Sequence, residues 1–391
     1  MTLIEDLTLN DDVRLFIVGD EGLVFVARSQ ELYALNTMAT FIWCGLEENR
    51  SRADLVASVT QSFGIGALEA RRYVADCLAM WAGWGVFAAR PRQPVTHAPV
   101  TAPAAHHADC PELDAQVQVW RRYRLLDGVA EVGFCDAVAH DRVHAILGYL
   151  ETPVAEPVTT RLHVVSDSNG YRIARGGVLW LDGLAPDQLG PLIKALVWQA
   201  CVRATPHLLN IHAGAVADGE SCILLPGRPG SGKSTLSAAL GRSGYVYLSD
   251  EVALLDAPAL RVRPVPLAMC VKSTGWDALA SFYPELADLP VHRRGDGKIV
   301  RYIRPPVDPA SLRASYAVSR IVFPRYVPGC VTTLRPLGPV EGLRRLLGEC
   351  VSAPAGLTID IVATMVDWLG QMQCEELEQS SIGEAIALLR G

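Results

Sequence analysis

The chain has 391 residues, half of them hydrophobic and 20% charged, with 42 acidic side chains against 35 basic ones. At about 150 residues per domain this predicts two or three domains with real cores and excludes a disordered charged tail. The net charge of −7 argues against a dedicated duplex-DNA binder. Ten cysteines lie without a single CxxC spacing, so zinc and thioredoxin-type signatures are absent. Met1 to Asp6 lack the basic and apolar regions of a signal peptide, and no apolar run reaches 18 residues. The expectation is a soluble, reducing, cytoplasmic setting, with neither membrane nor nucleic acid as partner. Only Lys194, Lys233, Lys272 and Lys298 are lysines; the remaining 31 of the 35 cations are arginines. A GC-rich coding bias explains such an imbalance. It also marks the surviving lysines as positions where arginine fails to substitute.

In chain order, Leu15–Val18, Leu23–Val26 and Glu31–Leu35 read as three short strands. Asn36 is placed to cap a helix through Phe41, Ile42 and Trp43. Ser51 with Asp54 makes a variant capping box for a second helix reaching about Phe63. A third runs from about Ala67 to Trp84, with Tyr73, Val74, Cys77, Leu78 and Trp81 on one face. A small sheet followed by three helices is a winged-helix-like α+β module, predicted over residues 1–90. Residues 91–111, rich in proline and alanine, read as a semi-extended linker in which His106 and His107 are solvated. The remainder, 112–391, reads as one larger α/β domain. Its signals include strands at Arg161–Val165, Gly177–Leu181, Ile321–Phe323 and Val331–Leu334, and helices starting near Val340, Leu357 and Ile382. An apolar helix spans Leu192 to Val202, and within it Lys194 reads as a snorkelling surface residue. Trp180, Trp198 and Trp368 read as core.

The sharpest motif is Gly227-Arg228-Pro229-Gly230-Ser231-Gly232-Lys233-Ser234, followed by Thr235, a full GxxxxGK[ST] match. It lies between an apolar strand, Cys222–Pro226, and a helix, Thr235–Leu240, which is the context such a loop requires. With glycine at 33 and lysine at 4 of 391 positions, chance supplies roughly 0.003 matches. Glycines let backbone N–H groups turn toward phosphate oxygens, and the helix start adds positive potential. Lys233 would reach the β- and γ-phosphates and Ser234 would supply a hydroxyl to Mg²⁺, so ATP and Mg²⁺ are the expected cofactors. Downstream, Gly244–Ser249 reads as a strand ending in Asp250 and Glu251, acids suited to metal binding or proton abstraction. Upstream, His212 precedes the loop strand by one hairpin.

The pattern Tyr33-Ala34-Leu35-Asn36 followed by Thr40-Phe41-Ile42-Trp43 and two further helices resembles the PqqD-like family of peptide-binding domains. The resemblance covers about 85 residues and implies that a leader peptide adds a strand to the exposed sheet edge. His212, the loop from Gly227 to Thr235, and Ser249-Asp250-Glu251 resemble the catalytic domain of HPr kinase/phosphorylase. They are more similar still to its stand-alone relatives that phosphorylate serine in peptides. That resemblance is specific over about 205–255 and implies an α/β P-loop kinase fold, His212 in the active site and Asp250 as general base. Ser234, Asp250 and Glu251 are the candidate metal ligands, and which acid serves as base stays open. The second family aspartate is Glu251 here. The signature segment of the true HPr kinases, with its phosphorolysis arginine, is missing, so dephosphorylation and HPr as substrate do not carry over.

Two further segments resemble the peptide-kinase relatives: Pro264–Lys272, a strand ending in lysine, and Arg293–Arg301, a basic loop. They make Lys272, Lys298 and Arg301 candidates for holding phosphate or acidic substrate groups. The expected activity is ATP- and Mg²⁺-dependent phosphorylation of a Ser/Thr hydroxyl on a ribosomally made precursor peptide or small protein. An ATPase or nucleotidyltransferase, or a non-catalytic ATP-binding peptide carrier, are the alternatives. A homo-oligomer is possible, although no coiled-coil pattern supports one.

Overall fold

A computed structural model describes residues 8–88, 111–153, 157–306, 312–348, 350–354 and 356–390. The predicted linker, His106 and His107 included, lies outside the described residues apart from Pro111. By contact the chain divides into two units: residues 1–99 with 336–375, and residues 100–335 with 376–391. This division differs from the one the linker suggests, because Pro336–Glu375 clusters with the N-terminal segment.

In the first unit, β1 (Val13–Val18), β2 (Glu21–Val26) and β3 (Glu31–Leu35) form an antiparallel sheet in that order. Helices α1 (Thr37–Glu47), α2 (Arg52–Phe63) and α3 (Ala67–Gly83) follow. The local chemistry works as read. Asn36 accepts from the Ala39 amide at 2.9 Å, and Ser51 and Asp54 complete the capping box. Ala70, Val74, Cys77, Leu78 and Trp81 form the buried stripe of α3; Tyr73 lies at its margin, hydrogen-bonded to Asn36. All but the first residue of β2 is buried. An alternating strand would bury one face only, and the difference arises because helices Pro339–Gly348 and Ile359–Gly370 also pack on this sheet. Gln30 ties that segment down by donating to the Leu357 carbonyl and accepting from its amide, at 2.9 and 2.7 Å.

The second unit begins with α4 (Pro111–Asp114) and a sheet of β4 (Val119–Leu125), β5 (Gly128–Phe134), β6 (Thr160–Asp167), β7 (Gly170–Arg175) and β8 (Val178–Leu184), in sequence order. Helices α5 (Ala137–Leu147) and α6 (Pro186–Ala204) pack together, and α6 packs on β5 and β6. β9 (Leu209–Ile211) leads through His212 into β10 (Ala213–Asp218), which forms a hairpin with β11 (Ser221–Pro226). Helix α7 (Lys233–Gly241) follows the glycine loop, and β12 (Val246–Ser249) returns to pair with β10. After β13 (Ala253–Asp256), β14 (Arg261–Arg263), β15 (Met269–Lys272), β16 (His292–Arg293) and β17 (Ile299–Ile303), strand β18 (Ala317–Tyr326) runs parallel to β11. One expectation fails here. Trp180 is 47% exposed, on edge strand β8 under the Arg175 guanidinium, because β8 has a strand neighbour on one side only. Trp198 and Trp368 are partly buried, and Trp198 packs against the core of this unit.

One contact sets how closely α7 approaches the sheet. A Cβ on Gly214 of β10 would collide with the Ser237 hydroxyl oxygen of α7, and both residues are buried. Gly214→Val should therefore destabilise the protein by about 1–3 kcal/mol, read as a lowered thermal midpoint. An unchanged midpoint would refute this close packing.

Candidate functional site

The loop between β11 and α7 departs from ordinary backbone at two glycines, Gly230 with φ +97° and Gly232 with φ +93°. Both values lie in the left-handed region, where side chains other than glycine are strained. Ser231 closes the turn by donating from its amide to Arg228 O at 3.1 Å, and Ser231 O accepts from the Tyr326 amide at 3.1 Å. Lys233 is 5% exposed; its ammonium bonds to the Gly227 carbonyl and lies 3.4 Å from that of Arg228. The first N–H groups of α7, from Lys233 onward, have no partner within the helix. The loop thus gathers donors and a cation at one helix start, which suits an anion.

Beside it, β12 ends at Ser249, whose hydroxyl donates to Val252 O at 2.5 Å and accepts from the Val252 amide at 3.2 Å. That turn presents the acidic pair. Asp250, 2% exposed, accepts from Tyr247 at 2.9 Å, from the Cys270 amide at 3.4 Å and from the Ser234 hydroxyl. Glu251 accepts from Lys194 at 2.6 Å. Lys194 is 3% exposed, and its ammonium sits 5.4 Å from the Tyr302 ring centre. The snorkelling reading of Lys194 is wrong: α6 aims it into the acidic pair, where an unpaired lysine would be costly.

The two acids are pushed apart. Burial, reinforced by Glu251, raises the Asp250 pKa above its usual value. Burial also works against ionised Glu251, but the Lys194 ammonium outweighs it and the Glu251 pKa falls. Lys194 itself ends raised, since the surrounding carboxylates overcome its burial. For His212, burial first and then the Lys233 and Lys272 charges lower its pKa, which favours the neutral imidazole at pH 7.

Asp250, Glu251 and His212 line one cavity of about 410 Å³, which Lys194 does not line. Of the sequence-predicted residues it brings together Pro229, Gly230, Gly232, Lys233, Ser234 and Thr235 of the loop. His212, Asp250, Glu251, Lys272 and Lys298 join them. Gly227, Arg228 and Ser231 shape the loop without lining the cavity. Arg301 does not line it either: lying in β17, it donates to Leu286 O at 2.9 Å and stacks 4.3 Å from the Trp276 ring centre. The basic loop is also less basic than its sequence, because Asp296 pairs with Lys298 at 2.8 Å and Arg294 at 3.4 Å. Cys270, Arg294, Tyr326 and Gln379 are lining residues the sequence reading passed over. Alternation along β15 would have placed Cys270 on the side of Lys272. Tyr326 and Gln379 arrive by long-range packing and carry no local signal.

No protein-family model and no curated protein matches the chain. Among solved structures, TbiB1 in complex with the TbiA(beta) leader peptide is similar to 22% of this chain and 99% of its own, at 18% identity and a TM-score of 0.21. No helix among the described residues is long and apolar enough to cross a membrane.

Lys194→Met should cost about 3 kcal/mol at pH 7 by leaving Glu251 without its counter-charge. Glu251 has a lowered pKa, so the pair's stabilisation is complete above the usual carboxylate range and is lost as pH falls through the lowered value. Denaturant unfolding of both proteins should show the gap at pH 7 and its narrowing in acid. Equal stability at pH 7 would contradict the ion pair.

Proposed function

We propose that the second unit is a P-loop kinase of the HPr-kinase-like class and transfers the γ-phosphate of ATP to a serine or threonine hydroxyl. The observation that carries this reading is the convergence of Gly230, Gly232–Thr235, His212, Asp250 and Glu251 on one cavity. Asp250, buried and held on two sides, receives the proton of the acceptor hydroxyl. The acceptor oxygen forms its bond to the γ-phosphorus as the bond to the bridging β-γ oxygen breaks, and that oxygen leaves on ADP with the electron pair. Lys233 and the α7 amides stabilise charge on the transferring group.

Magnesium, when bound, would neutralise phosphate charge. Ser234 and Asp250 would hold it, since their side chains already meet. Among the described residues no group of three or more His, Cys, Asp or Glu stands ready to hold a metal alone. Magnesium usually takes one or two carboxylates and completes its shell with phosphate oxygens and water. His212, favoured as neutral, can offer a hydrogen bond without adding repulsion.

For the first unit the reading is peptide capture by strand addition. β3 pairs only with β2 among the described strands, so no described strand occupies its outer backbone edge. Tyr33 of that strand stacks on Trp84 at 3.9 Å and 6°, forming a flat aromatic platform at the end of α3. Tethering a peptide there would hold its acceptor at an effective concentration on the order of millimolar.

Two substitutions separate binding from transfer. Asp250→Asn should reduce phosphate transfer by at least about 100-fold, the scale of a lost general base, while nucleotide binding persists. Lys233→Arg keeps the charge but loses the compact ammonium, and transfer should fail with it. Full transfer by the Asp250→Asn protein, followed with labelled ATP, would overturn the reading.

A further inference from the structure

A second cavity, of about 260 Å³, abuts the first. The two share Glu251, Cys270, Arg294 and Asp296. Residues of the glycine loop line only the first, whereas Leu192, Ala195 and Trp198 of α6, with Tyr302 of β17, line only the second. The shared residues therefore stand between the loop and the face of α6. In-line phosphoryl transfer needs the attacking and leaving oxygens on opposite sides of the phosphorus. With the leaving phosphates gripped by the glycine loop, the acceptor must come from the side facing the shared wall, and the second cavity opens beyond that wall.

We infer that the second cavity is the acceptor-side subsite, and that it takes an apolar side chain within one or two residues of the phosphorylated serine. This rests on the kinase reading above and adds a substrate class to it. Consecutive residues of an extended peptide advance about 3.3–3.6 Å, so a near neighbour reaches the second cavity while the hydroxyl stays at Asp250.

The walls select the class. Leu192, Ala195 and Trp198 fall on one face of α6 and are only partly buried, which leaves apolar surface in the cavity wall for a ligand to cover. Both cations at this cavity already face its own carboxylates: Lys194 pairs with Glu251 at 2.6 Å, and Arg294 shares Asp296, at 3.4 Å, with Lys298. An acidic neighbour would have to compete with the Glu251 and Asp296 carboxylates that already hold these cations. An apolar one buries surface against the indole of Trp198 and the ring of Tyr302.

The test uses the full chain, ATP with Mg²⁺, and two synthetic peptides, Gly-Gly-Leu-Ser-Leu-Gly-Gly and Gly-Gly-Asp-Ser-Asp-Gly-Gly. The readout is the ratio of their kcat/KM values for phosphoserine formation. The subsite predicts a ratio of about 10 or more in favour of leucine, the scale of a lost apolar pocket contact. Ala195→Trp, which fills the cavity, should bring the ratio toward one. Trp198→Ala, which widens it, should shift preference toward a phenylalanine-flanked peptide, and it keeps the test alive should the first variant not fold. A wild-type ratio at or below one, or a ratio unmoved in both variants, overturns the subsite and leaves the kinase reading standing. Hydrolysis of ATP with no phosphopeptide from any sequence overturns the kinase reading, and the subsite falls with it.

Discussion

The site depends on keeping two adjacent carboxylates, Asp250 buried and Glu251 partly buried, beside a loop whose donors and cation suit an anion. Asp250 and Glu251 repel each other, and both would repel a polyphosphate. A buried ammonium, Lys194, makes the arrangement tolerable by pairing with Glu251. It leaves Asp250 held by Tyr247, Ser234 and the Cys270 amide. The consequence is a division within the pair: one acid fixed in an ion pair with its pKa lowered, the other raised and turned toward the glycine loop. Environments that push neighbouring acids apart in this way are how a single site assigns them different tasks.

The surrounding fold reads as support for that arrangement. The β10–β11 hairpin carries His212 at its start and the glycine loop at its end. β12 lies alongside β10 and delivers the acids. Gly214 lets α7 sit close against β10, so the helix start and the acids stay within one cavity. The partner of Glu251 comes from α6, a helix whose other side is packed into the core beneath the five-stranded sheet. The acidic pair is thereby tied to two layers of the unit.

What could be read from the sequence was what is local. The GxxxxGK[ST] spacing fixed the loop, because positive φ at Gly230 and Gly232 is a property of those residues. The Asn36 cap and the Ser51–Asp54 box were legible for the same reason, each satisfied within a few residues. The acids at the end of β12 were legible as a pair, but not in their separate surroundings. Lys194 was misread because its partner lies 57 residues away and a lysine in an apolar helix usually snorkels. Arg301 was misread because the basic run continues from the loop into β17, where its guanidinium turns to Trp276 and the Leu286 carbonyl. Asp296 sat inside the same run, yet only the fold reveals that it bridges Lys298 and Arg294 and offsets part of their charge. The packing of Pro339–Gly348 and Ile359–Gly370 on the N-terminal sheet joins segments some 300 residues apart, which no local pattern encodes.

The most direct measurement follows the γ-phosphate itself. The full chain, given γ-labelled ATP, Mg²⁺ and serine peptides, should place the label on a serine hydroxyl, with ADP as the other product. Label recovered only as free phosphate at a rate no peptide alters, or AMP left on the protein or the peptide, would contradict the account.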